Sequence, residues 1–253
     1  MNEIIIEIDK KKHDFLIPEK WSELSEEQFI FISQFVANLS VENIDIIINY
    51  FLQRKNIPLF DFPKELYKLI TDIIISKPTS KWFIKKYKNL HGPADAFRNV
   101  TIAEFAFADT YFLRYEQKPK AEYLHKFIAS LYREGKENFN KHEENDIRIE
   151  FNENKLDFLA EKVSNWRGDV KYAILSNFKL MRAVLKSLYP HLFDEKTADE
   201  KKIISKTKNI GGWDKIIRGF CEGDLTKIDK VKNLLIHTIF AEMNDNILKD
   251  KKK

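Results

Sequence analysis

One cysteine, seven glycines and seven prolines are all that 253 residues contain of these three types. The single Cys221 leaves no partner for an internal disulfide and no cysteine pair for a zinc finger, which suits a reducing compartment. Glycine and proline are too scarce for the many tight turns of an all-β sandwich or barrel. No apolar run approaches the ~20 residues that cross a bilayer. The first apolar stretch, Ile4 to Ile8, is short, broken by Glu7 and unlike a secretory signal. An excess of one charge is also missing. The chain sets 43 Lys and Arg against 39 Asp and Glu, a formal +4 with both signs interspersed, which is not the footprint of a strong nucleic-acid binder. The expectation is a soluble, cytoplasmic protein with no membrane partner.

What is present points to helices. A chain of this length buries roughly 70–75% of the surface its unfolded form exposes, so it needs no disulfide or metal staple. Its apolar residues recur mainly at helical spacing. The beginning is different. Glu3 to Ile8 and Asp14 to Pro18 flank a polar DKKKH and read as a β-hairpin over residues 1–20. Ser25 and Gln28 have capping-box spacing for a helix reaching about Asn38. A second helix is expected from Val41 to Arg54, and a third from Pro63 to before Pro78, with Leu66, Leu69, Ile70, Ile73 and Ile74 as its stripe. Residues 76–100 read as a long irregular connection containing Trp82, Phe83 and Tyr87. Thr101 and Glu104 repeat the capping box for a helix ending near Glu116, and Pro119 opens the next.

Residues 135–150 are polar and aperiodic, an exposed loop between an N-terminal helical lobe (21–134) and a C-terminal one (151–248). In the second lobe Asn152 and Asp169 stand as N-caps, and Gly168 as a left-handed C-cap. Asp224 caps one last long helix carrying Ile228, Val231, Leu235, Ile239 and Met243. Residues 249–253 are a fraying tail. The fold class expected is mainly α, with an N-terminal β-hairpin packed on a multi-helix bundle.

The polar residues that resemble a reaction centre have simpler uses. Glu104 belongs to a cap, and Asp95 and Asp109 suit ion pairs, with Arg98 or Arg114 as the partner of Asp109. The six histidines show no zinc-protease spacing, and His237 reads as a hydrogen-bonded helix-face residue. Cys221 reads as a small apolar residue. Gly211-Gly212 lacks the strand and Lys-Ser/Thr of a phosphate cradle, and the KHEEND stretch lacks the spaced acids and glycine of a calcium loop. No catalytic residue, metal or cofactor is expected. Two surfaces remain as candidates. Phe105, Phe107, Phe112, Trp213 and Phe220 are aromatics that, if exposed, would receive a partner helix. Lys201, Lys202, Lys206 and Lys208, within the Lys-rich 196–208 segment, would line a nucleic-acid backbone, although neighbouring Asp and Glu dilute them.

WSELSEEQF (21–29), ADAFRNVTIAEFAFADTYFLRY (94–115), IASLYRE (128–134), IRIEFN (147–152) and AILSNFKLMR through YPHLF (173–193) occur in that order. As a set, the chain resembles a family of phage and prophage proteins of Bacteroidetes bacteria, encoded among virion and tail morphogenesis genes. The resemblance carries over no catalytic or binding residue. It implies a setting in virion morphogenesis and no activity. The function expected in that setting is that of a non-enzymatic protein working by protein–protein contacts in virion assembly, in the host cytoplasm or the virion. A tail assembly chaperone for the tape-measure protein or other tail components fits that setting. The alternatives are a minor structural or connector virion protein, with oligomerisation open, and a DNA-binding phage protein using residues 196–208. The terminal KDKKK fits a ribosomal slippage site only if the coding DNA carries an A-rich heptamer and an overlapping frame.

Overall fold

The computed structural model describes residues 2–8, 11–36, 40–52, 64–140, 142, 145–193 and 212–250. The fold is mainly α, as expected. It divides into two units, one of residues 1–83 and 168–180, the other of residues 84–167 and 181–253. Residues 135–150, the expected joint, fall inside the second unit.

In the first unit, β1 (Asn2–Ile8) pairs antiparallel with β2 (Lys11–Ile17), Asn2 facing Ile17 and Ile8 facing Lys11. The strands run longer than expected, because Lys11 to His13 join the ladder rather than the turn. Helix α1 (Glu26–Ser33) starts at a complete capping box. Ser25 Oγ accepts from the Gln28 amide at 3.1 Å, and Gln28 Oε1 accepts from the Ser25 amide at 2.8 Å. Helix α2 (Val41–Phe51) is capped by Ser40 and buries Ile47, Ile48 and Phe51. Helix α3 (Lys64–Ile75) buries Leu66, Ile70 and Ile73 from the expected stripe, and its Tyr67 hydroxyl donates to the buried Asp45 carboxylate. Pro63 lies outside the described residues, as do Asn38 and Arg54, the expected ends of the first two helices.

The irregular stretch after α3 is a core segment. Trp82 is fully buried, and Phe83 stacks on Phe29 with ring centroids 4.0 Å apart. Its backbone is satisfied by a side chain. Buried Asn177 accepts from the Phe83 amide at 2.8 Å and donates to the Lys81 carbonyl at 3.0 Å, doing the work of a strand partner. Asn177 belongs to α7 (Gly168–Leu188), whose first part lies in this unit and whose last part lies in the other.

The second unit opens on a small antiparallel sheet of β3 (Lys86–Tyr87), β4 (Leu90–His91) and β5 (Arg133–Glu134). Gly92 lies tight against it. A Cβ there would come within 2.8 Å of the Tyr132 ring and 2.9 Å of the Ile84 carbonyl oxygen, to which the Tyr132 hydroxyl donates at 2.6 Å. Close approach, more than a turn, is what requires glycine here. Helices α4 (Ile102–Gln117) and α5 (Ala121–Leu131) pack against each other, and α6 (Leu156–Ser164) packs on α5. Asn152 caps the 3-10 turn that leads into α6.

Three expectations are corrected, two at the start of α7, which lies in the first unit, and one in the last long helix. Gly168 is the first residue of α7 and not a left-handed cap, and Asp169 sits in the first turn, with Arg167 at the N-cap position. Pro190 opens the short α8 (Pro190–Phe193). The last long helix is divided into α10 (Ile228–Lys232) and α11 (Ile236–Asp250). The break has a backbone cause. The Ile102 amide donates to the Leu234 carbonyl at 2.8 Å and the Ile236 amide to the Val100 carbonyl at 2.9 Å, a β-bridge that an unbroken helix would forbid. Between α8 and α10, helix α9 (Gly212–Phe220) is followed by a turn in which Glu222 and Gly223 both take left-handed backbone angles.

Candidate functional site

The polar residues converge on structure. Thr101 Oγ1 accepts from the Glu104 amide at 3.3 Å, and Glu104 Oε2 accepts from the Thr101 amide at 2.8 Å, so the α4 cap is complete. Glu104 is nevertheless fully buried, and its second oxygen has another use. Oε1 accepts from Arg133 and lies 3.1 Å from Arg148 Nη1. Arg148 is itself buried and saturated. It donates to the carbonyls of Leu131 at 2.9 Å and Asn99 at 2.7 Å and forks onto Asp146. Arg133 donates to the Ile149 carbonyl at 2.7 Å. Burial pulls the Arg133 pKa down against the pull of Glu104. For Arg148 the two carboxylates outweigh burial and raise it. Two acids and two arginines thus cancel, tying α4, β5 and the end of the 135–148 excursion together. That excursion was expected to be an exposed loop throughout. Its end is instead anchored by Arg148 and by backbone bonds from Lys136 to Ile147 and from Ile149 to Glu134.

Asp109 is also engaged. Arg182 donates to one carboxylate oxygen and Trp213 Nε1 to the other at 3.1 Å. Neither expected partner, Arg98 or Arg114, is the one used. The Arg114 guanidinium lies over the Tyr111 ring, 5.4 Å from its centroid. Burial pushes the Asp109 carboxyl up, and Arg182 and Trp213 pull against it. Asp95 pairs with Lys85. His237 is hydrogen-bonded on both ring nitrogens, to the Tyr189 hydroxyl at 2.7 Å and to the Ala96 carbonyl. Cys221 is buried and donates to the Ile217 carbonyl at 3.3 Å. Among the described residues, no three His, Cys, Asp or Glu side chains form a group able to hold a metal ion.

The aromatic candidates separate into core and surface. Phe105 is 3% exposed and meets Phe97, Trp213 and Phe240 edge-on, so it belongs to the core. Phe112 is 6% exposed, packed on Phe127 under the Arg182 guanidinium, and is also withdrawn from any partner. Phe107 is half-buried against Phe151. Trp213 is half-buried, stacked on Phe240 and bonded to Asp109. Phe220 is half-buried as well. Lys201, Lys202, Lys206 and Lys208 lie outside the described residues, as does the whole 196–208 segment.

The three half-buried aromatics border two grooves that flank α9. On one side a groove of about 420 Å³ runs beside α4, bordered by Phe107, Tyr111, Arg114, Trp213 and Ile217. On the other a groove of about 620 Å³ lies between α9 and α11, with Ile216, Phe220, Met243 and Ile247 as its apolar walls and Glu222, Glu242 and Asn246 at its edge. Trp213 pins α9 to α11 through its stack on Phe240, and the larger groove opens beyond that contact. Ile216 and Phe220 are four apart on one helix, and so are Met243 and Ile247 on the other. Each pair therefore shares a helix face. No single residue announces this groove in the sequence. Its signal is the strong amphipathic pattern of the short α9, whose one apolar side exceeds what its own neighbours cover.

No protein-family model, curated protein or solved structure matches the chain. Among the described residues no helix is long and apolar enough to cross a membrane.

Proposed function

We propose that this chain is a phage or prophage protein that acts in virion assembly by holding a partner protein, in the manner of a tail assembly chaperone. The observation that supports the reading is the groove between α9 and α11. Two i, i+4 apolar pairs, one on each helix, half-buried and lining an open trough, are the complement of an amphipathic helix laid into it. The trough's chemistry suits apolar side chains. The acids that could have served proton transfer are tied elsewhere, Glu104 and Asp109 to arginines and Asp95 to a lysine.

The test is co-expression of the tagged chain with the tape-measure protein of the same virion gene cluster. A complex that co-purifies and keeps the long helical partner soluble is the expected result. If the two proteins never associate, the chaperone role is wrong and a connector or minor virion component takes its place.

A further inference from the structure

We infer that the occupant of the α9–α11 groove is an amphipathic helix with basic flanks, crossing α9 over Gly219 with a small residue at the crossing point. The inference rests on the reading above only in that the occupant is a partner protein. Gly219 lies next to last in α9 and lines the groove. Glycine is the poorest helix former after proline, so its presence calls for a reason. Internal crowding does not supply one, because a Cβ built there meets nothing within 4 Å. Capping does not supply one either. Gly219 has no positive φ, and the left-handed turn that ends this segment falls on Glu222, at φ 51°, and Gly223, at φ 84°. The space left by the missing side chain opens outward, and a helix backbone arriving from outside is what would use it.

Charge identifies the flanks. Glu222, just past α9, and Glu242, on α11, both line the groove. Glu222 is placed by the left-handed turn it forms with Gly223. Glu242 accepts from Asn246, four residues on in its own helix, at 3.1 Å. Among the described residues neither carboxylate has a cationic partner and no Lys or Arg lines the groove. Apolar walls with two acids that no described cation pairs attract lysines or arginines beside an apolar stripe.

The experiment uses the full chain and two designed helical peptides of about 14 residues, close to four turns. Both carry the same Leu and Ala face, one flanked by lysines and the other by glutamates, and binding is read by fluorescence anisotropy. The Lys-flanked peptide is expected to bind, with affinity falling as salt rises, and the Glu-flanked peptide to bind at least about tenfold more weakly. Gly219→Leu should lower the affinity of the Lys-flanked peptide by about tenfold or more, because its side chain occupies the crossing point. Gly219→Ala should raise Tm while weakening binding. Glu222→Lys with Glu242→Lys should reverse the preference between the peptides, and this variant decides the question if Gly219→Leu does not fold. Equal binding of both peptides, binding of neither, or a folded Gly219→Leu that binds as the parent does would overturn the inference. A tape-measure complex indifferent to Gly219→Leu would remove the groove assignment and leave the assembly role. Peptide selectivity without any virion partner would leave the groove and remove that role.

Discussion

Replacing Glu104 by glutamine removes one charge and almost nothing else. The shape is conserved, and the capping box survives because glutamine serves equally at the third helical position, as Gln28 does in this same protein. What changes is the electrostatic balance around a fully buried group. Glu104 is 0% exposed, and the side chains of Arg133 and Arg148 are 4% and 0% exposed. Without the carboxylate two buried guanidinium ions share only Asp146, leaving one positive charge uncompensated. Removing one member of a buried pair costs about 3–5 kcal/mol, a large part of the roughly 5–15 kcal/mol that holds a typical domain folded. In the folded-to-unfolded ratio this is roughly a hundredfold to several thousandfold. Urea unfolding followed by tryptophan fluorescence measures it, provided the slope with denaturant is unchanged. Adding Arg133→Met to Glu104→Gln should cost less than the sum of the two single changes, by about 0.5–3 kcal/mol for groups in one network. A loss for Glu104→Gln below about 1 kcal/mol, the scale of an ordinary hydrogen bond, would refute the view that these charges are sealed from water.

Three further outcomes follow from the same geometry. Thr101→Ala removes one half of the α4 cap and should cost about 1 kcal/mol by the same unfolding measurement, with a neutral result meaning that the bond is made to water equally well. Gly92→Ala should destabilise by about 1–3 kcal/mol, because the new methyl group meets the Tyr132 ring and the Ile84 carbonyl; a stabilised variant would show that this contact yields freely. Asp109 gives a pH signature. Its folded pKa is raised from 3.8, chiefly by burial, so between the two values the folded state binds more protons than the unfolded one. Its contribution is therefore most favourable below the unfolded pKa and is lost as pH rises through the folded one. The parent should lose stability relative to Asp109→Asn as pH rises through that window, and a difference of the opposite sign in Tm against pH would contradict the burial argument.

Local chemistry was readable in advance and long-range chemistry was not. The helix starts at Ser25 and Thr101 stand where their spacing places them, because donor and acceptor lie three residues apart and need no other part of the chain. The mainly helical class and the apolar stripe of α3 follow from periodicity for the same reason. Other features depend on partners from distant segments. Arg133 reaches Glu104 across 29 residues, Arg182 reaches Asp109 across 73, and Trp213 reaches it across 104. Nothing near Arg148 in sequence marks it as buried, since its alternation with Ile147 and Ile149 would equally suit an outward-facing residue. The break after α10 is set by the edge of Val100 to Ile102, which claims backbone groups that the helical pattern alone would have assigned to the helix. The fate of the aromatics is decided in the same way. Phe105 and Phe112 are covered and Phe220 is left at a groove, although all three sit on apolar helix faces. By itself the sequence determined which segments coil and where they begin, because those interactions close within one turn. Which charges meet and which apolar faces stay open was decided only when tertiary packing brought distant segments together and excluded water between them.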